Sequence, residues 1–159
     1  METQQNQSNY AMRGARVMRL SKTQVEQTAR YVVKLFGIKR ATQADMGGFI
    51  EMLGGYGILI DVIDDEEWFP LVDAVCFNQK ILIPNSLYQR ICSGEPDAAF
   101  IFFHELGHLL IGHKAMLHHS SIPPVEEEDA EWQADTFAEA VLKIMMGSRY
   151  RPEQLCLRF

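Results

Sequence analysis

The chain has 159 residues, 47% of them hydrophobic and 23% charged, and it carries a formal net charge of -6. This composition predicts one globular domain with a hydrophobic core, and it argues against a general nucleic-acid-binding protein because contacts to phosphates need clustered lysine and arginine. No stretch is long and apolar enough to predict a membrane span. Three cysteines without C-x-x-C spacing, and a start without an apolar secretory segment, predict a cytoplasmic protein with reduced thiols: Cys76, Cys92 and Cys156.

Residues 1–20 show no apolar periodicity and are predicted to be a disordered tail, whose first ten residues are rich in glutamine and asparagine. Three arginines follow, and we interpret them as solvated residues that precede the domain rather than as a contact surface for an acidic partner: Arg13, Arg16 and Arg19. The globular domain is predicted to span residues 21–147. Residues 148–159 are expected to form a short closing helix or a tail.

Two helices are expected at the start of the domain. Ser21 is a suitable N-cap for a helix from Lys22 to Phe36, in which apolar residues recur at helical spacing and which stops at Gly37. A shorter helix is predicted over residues 45–53, ended by the glycine pair that follows it. Both helices are expected to pack beneath the functional site.

Three short strands are predicted next, as apolar runs bounded by turn signals: residues 57–63, 72–77 and 80–84. The last two are typical of a hairpin that turns at Asn78-Gln79. A short helix over residues 86–93 follows, and Pro96 suits the first turn of the next helix. This pattern predicts an α+β fold with a small, mainly antiparallel sheet packed with helices. We expect residues 72–77 to border the functional cleft, where an edge strand can hold a substrate backbone.

The most informative stretch is His104-Glu-Leu-Gly-His108, which lies in an apolar run over residues 98–111. A helix that is apolar all round is a buried helix, so the two histidines and Glu105 are carried into an interior where unpaired polar groups are destabilising. His104 and His108 are spaced i, i+4 on one face and can reach a single cation. Glu105 lies on the neighbouring face, where it can take a proton from a water on the metal. This H-E-x-x-H arrangement is typical of zinc-dependent hydrolases.

A catalytic zinc site normally has three protein ligands, so one more is needed. The glycine and third histidine of a metzincin are out of register here, because Gly112 falls one place late and His113 one place early. A second helix over residues 126–140 supplies the alternative, with Glu131 as third ligand and Asp135 on the same face to accept a hydrogen bond from a ligating histidine. His113 is interpreted as a helix-end histidine near the surface. Three other acidic residues are alternative candidates for the third ligand, and we interpret them instead as the solvated start of the helix: Glu126, Glu127 and Glu128.

Taken with Glu131-x-x-Ala134-Asp135-x-Phe137-Ala138, the motif resembles the ImmA/IrrE family of zinc metallopeptidases, a gluzincin-like group, over about residues 25–144. The resemblance implies a zincin-like active-site helix and zinc as the metal. Characterised proteases of the family cut helix-turn-helix repressors and so release stress-response or mobile-element genes, which implies a substrate of that kind. The chain departs from the family just before the first histidine, where members often carry a basic or hydroxyl residue: Ala99, Ile101 and Phe103 stand there.

The sequence therefore predicts a zinc metalloendopeptidase with Glu105 as general base and a protein substrate, without direct contact to nucleic acid or membrane. Two histidines in the loop between the metal helices can either stabilise an oxyanion or be plain solvated residues: His118 and His119. Two other interpretations stay open, a non-catalytic metal-binding protein that sequesters a regulator and a zinc hydrolase of another amide. The presence of Glu105 favours an enzyme, because a protein that only binds a metal ion does not need a carboxylate at that position. The oligomeric state is left open.

Overall fold

The structure, a computed structural model, describes residues 9–114 and 122–154. The helices are α1 Lys22–Phe36, α2 Arg40–Ala44, α3 Met46–Gly54, α4 Asn85–Cys92, α5 Pro96–Ile111 and α6 Ala130–Met146. The strands are β1 Leu59–Ile63, β2 Val75–Phe77 and β3 Lys80–Pro84. Short 3-10 turns cover Asp65–Glu67, Glu126–Glu128, Gly147–Arg149 and Pro152–Gln154. The predicted α+β class is confirmed, and no helix of the described ranges could cross a membrane.

Helix α1 has the predicted limits because its capping signals are local. The Ser21 side chain accepts from the backbone N–H of Gln24, and the Gln24 side chain accepts from the N–H of Ser21, which forms a capping box. Gly37 ends the helix with a φ of 63°, a left-handed conformation that glycine adopts without strain. The predicted second helix is α3, and Asp45, its predicted first residue, is the N-cap. The five-residue α2 that precedes it was not predicted.

The sheet is mixed, with the strand order β1-β3-β2, so the prediction of a mainly antiparallel sheet is wrong. Asn78 and Gln79 have φ values of 49° and 63°, as a two-residue hairpin turn requires, and they fold β2 antiparallel onto β3 as predicted. The hairpin occupies one side of β3, and β1 pairs in parallel with the other side over its five residues. The side chains of Ile81 and Ile83 on this central strand are fully buried.

Residues 9–20, here called the N-terminal segment, are ordered and packed, so the prediction of a disordered tail is wrong for them; residues 1–8 lie outside the described part. The segment runs antiparallel to the chain just before α6. The backbone N–H groups of Val17 and Leu20 donate to the carbonyls of Glu128 and Glu127, at 2.8 and 3.1 Å. The Val17 side chain is only 3% exposed, which anchors the segment to the domain.

The arginines of the N-terminal segment pair with the acids that precede α6. Arg16 forms an ion pair of 2.9 Å with Glu128, and Arg19 pairs with Glu127. The arginines and the glutamates were both predicted to be solvated. They largely pair with each other instead. Sequence periodicity gives no sign of this contact because its two sides are more than 100 residues apart.

Helices α5 and α6 pack closely enough to bring their polar faces together. A Cβ at Gly107 would lie 2.9 Å from Cδ1 of Phe137, so only glycine admits this ring. Ala134 and Ala138 are fully buried at the same interface, as expected for small residues at a close crossing. Helix α5 starts with Pro96 in its first turn and ends at Gly112, whose φ of 74° turns the chain back over the helix end.

Candidate metal centre

The three predicted ligands meet at one point between α5 and α6. The Nε2 atoms of His104 and His108 are 3.0 Å apart. The Glu131 carboxylate spans both, with Oε2 at 3.1 Å from Nε2 of His104 and Oε1 at 3.3 Å from Nε2 of His108. All three residues are partly buried, and they could together hold a metal ion.

The dimensions of this triangle fit a tetrahedral metal site. Zinc bound at about 2.0–2.1 Å by tetrahedral ligands requires neighbouring donor atoms to lie about 3.3 Å apart. The two Nε2 atoms are 3.0 Å apart, and each has a different oxygen of the Glu131 carboxylate nearby, Oε2 at 3.1 Å from His104 and Oε1 at 3.3 Å from His108. Two imidazoles and one carboxylate are also the donor set of many catalytic zinc sites, which leave the fourth position open. The residues present therefore fit zinc in both chemistry and spacing.

The charges of the three residues favour their close approach. His104 and His108, beside the Glu131 carboxylate, keep its pKa far below its usual range, so the carboxylate is ionised. Burial opposes a proton on His104, but hydrogen bonds to Asp135 and Glu131 outweigh this and raise the pKa of His104 to about 9.

Asp135 occupies the predicted place beside a ligating histidine. Nδ1 of His104 donates to Oδ1 of Asp135 at 2.7 Å, which directs Nε2 of the same ring toward Glu131. The other oxygen of Asp135 accepts from the guanidinium of Arg13 at 2.8 Å. The sequence analysis did not assign Arg13 to the site, because nothing in its neighbourhood points to a partner on α6.

Asp129, the N-cap of α6, fixes the N-terminal segment against Glu131. Its fully buried carboxylate accepts from the Tyr10 hydroxyl at 2.8 Å and from the backbone N–H groups of Arg13 at 2.8 Å and Gly14 at 3.1 Å. It also accepts from the N–H of Glu131 at 3.0 Å, as an N-cap does. A Cβ at Gly14 would lie 2.6 Å from Cγ of Glu131. The backbone of the segment therefore lies directly against the carboxylate ligand.

A chain of hydrogen bonds leads from His108 into the protein interior. Nδ1 of His108 lies 2.8 Å from Nδ1 of His113, and Nε2 of His113 lies 2.8 Å from Oε1 of Gln133. Gln133 is fully buried and donates from Nε2 to the carbonyls of Met18 at 2.8 Å and Glu127 at 2.7 Å. Burial lowers the pKa of His113, so its ring is neutral.

His113 follows directly after the end of α5, as predicted, but its ring also contacts a candidate ligand, His108. Gly112 reverses the chain and places the ring beside His108, where it is partly buried. Gln133 was also not predicted to belong to the site. It is a polar residue on the buried face of α6, together with Ala130, Ala134 and Phe137, and buried polar groups are normally hydrogen-bonded.

Glu105 lies beside the ligands without belonging to them. Burial raises the pKa of its carboxyl group, while His104 and His108 act in the opposite direction. Cys76 lies beside the carboxylate on β2, the edge strand of the sheet, and its backbone N–H also lowers the pKa of Glu105. Burial raises the pKa of the Cys76 thiol, and the nearby Glu105 adds to the effect. Glu105 thus lies at the side of the candidate ligands and lines the same cleft.

The metal centre opens into a cleft of about 920 Å³. One wall is residues 71–76, which confirms that this side of the hairpin borders the cleft, although the strand itself is only Val75–Phe77. On the opposite wall, Ile101 faces the cleft, whereas Ala99 and Phe103 are fully buried in the core. Of the three apolar residues just before His104, therefore, one lies at the cleft, Ile101, and two lie in the core, Ala99 and Phe103.

The predicted oxyanion candidates, His118 and His119, lie outside the described residues. No family model, curated protein or solved structure matches the chain. The functional argument therefore depends on the geometry of the centre and on the chemistry of its residues.

Proposed function

We propose that the protein is a zinc metallopeptidase that hydrolyses peptide bonds, with His104, His108 and Glu131 as the zinc ligands. The single observation that carries the proposal is the position of Glu105. It is a partly buried carboxyl group with a raised pKa, next to a group of zinc-type ligands and lining an open cleft. A protein that only stored or carried a metal would not need a proton acceptor there.

The roles of the residues follow from this arrangement. Bound zinc would polarise the scissile carbonyl and make a water molecule more acidic. Glu105 accepts the proton of the attacking water and returns it to the leaving amine, and its raised pKa suits both transfers near neutral pH. Asp135 orients His104 by accepting from Nδ1. The free edge of β2 gives a substrate in extended conformation a strand to pair with.

For the substrate, we propose a helix-turn-helix repressor cleaved in the cytoplasm, by analogy with the ImmA/IrrE family that the two motifs resemble. The cleft supports a polypeptide substrate because it is open and has apolar side chains among its lining residues: Leu71, Val72, Phe100 and Ile101. Of the charged residues that line it, Arg90 and Asp97 form an ion pair with each other, and the others are acidic: Asp73, Glu105, Glu131 and Asp135. An acidic cleft does not favour a nucleic acid.

The test is Glu105→Gln, assayed by co-expression with the repressor encoded nearest to the gene. Glutamine keeps the size and the hydrogen bonds of the side chain but cannot take a proton, so we expect cleavage to slow by about 10²- to 10⁴-fold. Zinc content and repressor binding should remain. Glu66→Gln is the matched control, because Glu66 is fully exposed in a turn before β2.

Two outcomes would contradict the proposal. Cleavage by both variants at the wild-type rate would show that Glu105 is not the base. Stable binding of the repressor by the wild type, with zinc present and no cleavage, would favour the alternative of a metal-binding protein that sequesters a regulator.

A further inference from the structure

The direction of each hydrogen bond behind His108 can be read from Gln133. Its Nε2 group has two hydrogens and lies within 2.8 Å of two carbonyl oxygens, those of Met18 and Glu127. Carbonyl oxygens only accept, so a rotated amide would place oxygen against oxygen at both positions. Because Gln133 is fully buried, water cannot compensate such contacts. The amide therefore has one orientation, with Oε1 toward His113.

This orientation determines which nitrogen of each ring carries hydrogen. A neutral imidazole has one N–H and one acceptor nitrogen. Oε1 of Gln133 accepts, so the hydrogen of His113 is on Nε2, and its Nδ1 is the acceptor. The contact of 2.8 Å between the two Nδ1 atoms then requires the hydrogen of His108 to be on Nδ1. Nε2 of His108 is left with its lone pair, which accepts from Nε2 of His104 at 3.0 Å.

We propose that His113 is a positioning residue for the metal centre, anchored by Gln133, and that the pair holds His108 in the tautomer whose Nε2 can bind a metal ion. On the other side of the centre, Asp135 accepts from Nδ1 of His104 and so leaves Nε2 of that ring for a metal ion. The two ligands are therefore oriented by different means, one by a carboxylate and one by a neutral histidine. This inference rests on the proposed metal centre and extends it to two residues that were not predicted to belong to it.

The anchor of this chain of hydrogen bonds is the N-terminal segment. One of the two carbonyls that hold the Gln133 amide, that of Met18, belongs to the segment. The neighbouring residue Val17 is buried and bonded to Glu128, which fixes the carbonyl. The segment therefore supports both ligating histidines, through Arg13 and Asp135 for one and through Met18 and Gln133 for the other.

The first test reads the tautomers directly in the zinc-stripped, full-length protein. Two-bond proton–nitrogen correlation spectra of ¹⁵N-labelled histidine rings distinguish the two neutral tautomers. We expect His113 as the Nε2–H form and His108 as the Nδ1–H form. A His113 ring in the Nδ1–H form, or a ring that averages between the two forms, would overturn the proposal. This measurement needs neither zinc nor a substrate, so its result is separate from that of the cleavage assay.

The second test compares two substitutions of His113. His113→Asn keeps an acceptor oxygen near the position of Nδ1 and should retain most of the zinc affinity. His113→Leu keeps apolar volume but leaves Nδ1–H of His108 without an acceptor, and should weaken zinc binding by about 10- to 100-fold. Equal affinities in the two variants would contradict the proposed role. Should His113→Leu fail to fold, the comparison of His113→Asn with the wild type and the tautomer spectra still decide the question.

Discussion

Replacing Gly14 by alanine adds a single methyl group next to the carboxylate ligand. The φ of Gly14 is not in the left-handed region, so alanine can adopt its backbone conformation. The new Cβ would lie 2.6 Å from Cγ of Glu131, whereas ordinary contacts begin at 3.4 Å. Either the Glu131 side chain or the N-terminal segment has to move by about 0.8 Å, which is the difference between these two distances.

A movement of this size is large for a metal site, in which bond lengths hold to within about 0.2 Å. If Glu131 moves, its bond to the metal is broken or stretched. If the segment moves, Asp129 loses the N–H groups that fix the start of α6. Both responses disturb the carboxylate, so we expect zinc affinity to fall by about 10- to 100-fold, as losses of supporting contacts typically do. That range corresponds to about 1.4 to 2.7 kcal/mol of binding free energy.

The assay is competition for zinc between the protein and a chromophoric chelator. Gly54→Ala is the matched control, because a Cβ at Gly54, at the end of α3, would meet no heavy atom within 4 Å. Both substitutions reduce the conformational freedom of the unfolded chain by the same amount. Equal zinc affinity in Gly14→Ala, Gly54→Ala and the wild type would refute the close contact between the segment and Glu131.

Three further results are expected. Glu131→Gln should reduce bound zinc well below one ion per chain by elemental analysis, whereas a loss with Glu127→Gln instead would identify a different ligand. Asp135→Ala should fold normally and weaken zinc binding by about 10- to 100-fold in the same chelator competition, and unchanged affinity would contradict its role. The zinc-stripped protein should become less stable to unfolding as the pH rises. Burial opposes the proton on His104, but Asp135 and Glu131 raise the pKa of His104 to about 9. The stabilisation from this proton is therefore complete below about pH 6.5 and is lost as the pH rises through about 9. Denaturation across this range should show the decline in the wild type but not in His104→Gln.

Features controlled by neighbouring residues were predictable from the sequence. The limits of α1 follow from Ser21 and Gly37, and the hairpin follows from the turn at Asn78-Gln79, because caps and turns depend on residues a few positions apart. The ligand triangle was also predictable, since i, i+4 spacing places His104 and His108 on one helix face. A spacing rule describes one helix at a time, however, and therefore gave no distances between α5 and α6.

Features that depend on distant parts of the chain were not predictable in this way. The parallel pairing of β1 with β3 depends on which side of β3 the hairpin leaves open, and the residue pattern of β1 contains no such information. The contact of Arg13 with Asp135 and that of Gln133 with Met18 join residues 115 or more positions apart. Arg13 carries no periodic signal, so composition favoured a solvated tail around it, and the position of Gln133 on α6 does not identify its partners. Only the three-dimensional arrangement shows that both contribute to the metal centre.

The position of the N-terminal segment also sets the order in which the centre can be assembled during synthesis. Translation produces the segment first, yet its partners Asp129 and Gln133 are made more than 100 residues later. A nascent chain that has reached residue 114 contains both histidine ligands but neither the carboxylate ligand nor any acceptor for its own first residues. Such a chain cannot bind zinc in the geometry described here. The candidate metal centre can therefore be completed only after Glu131 and Gln133 on α6 have been synthesised.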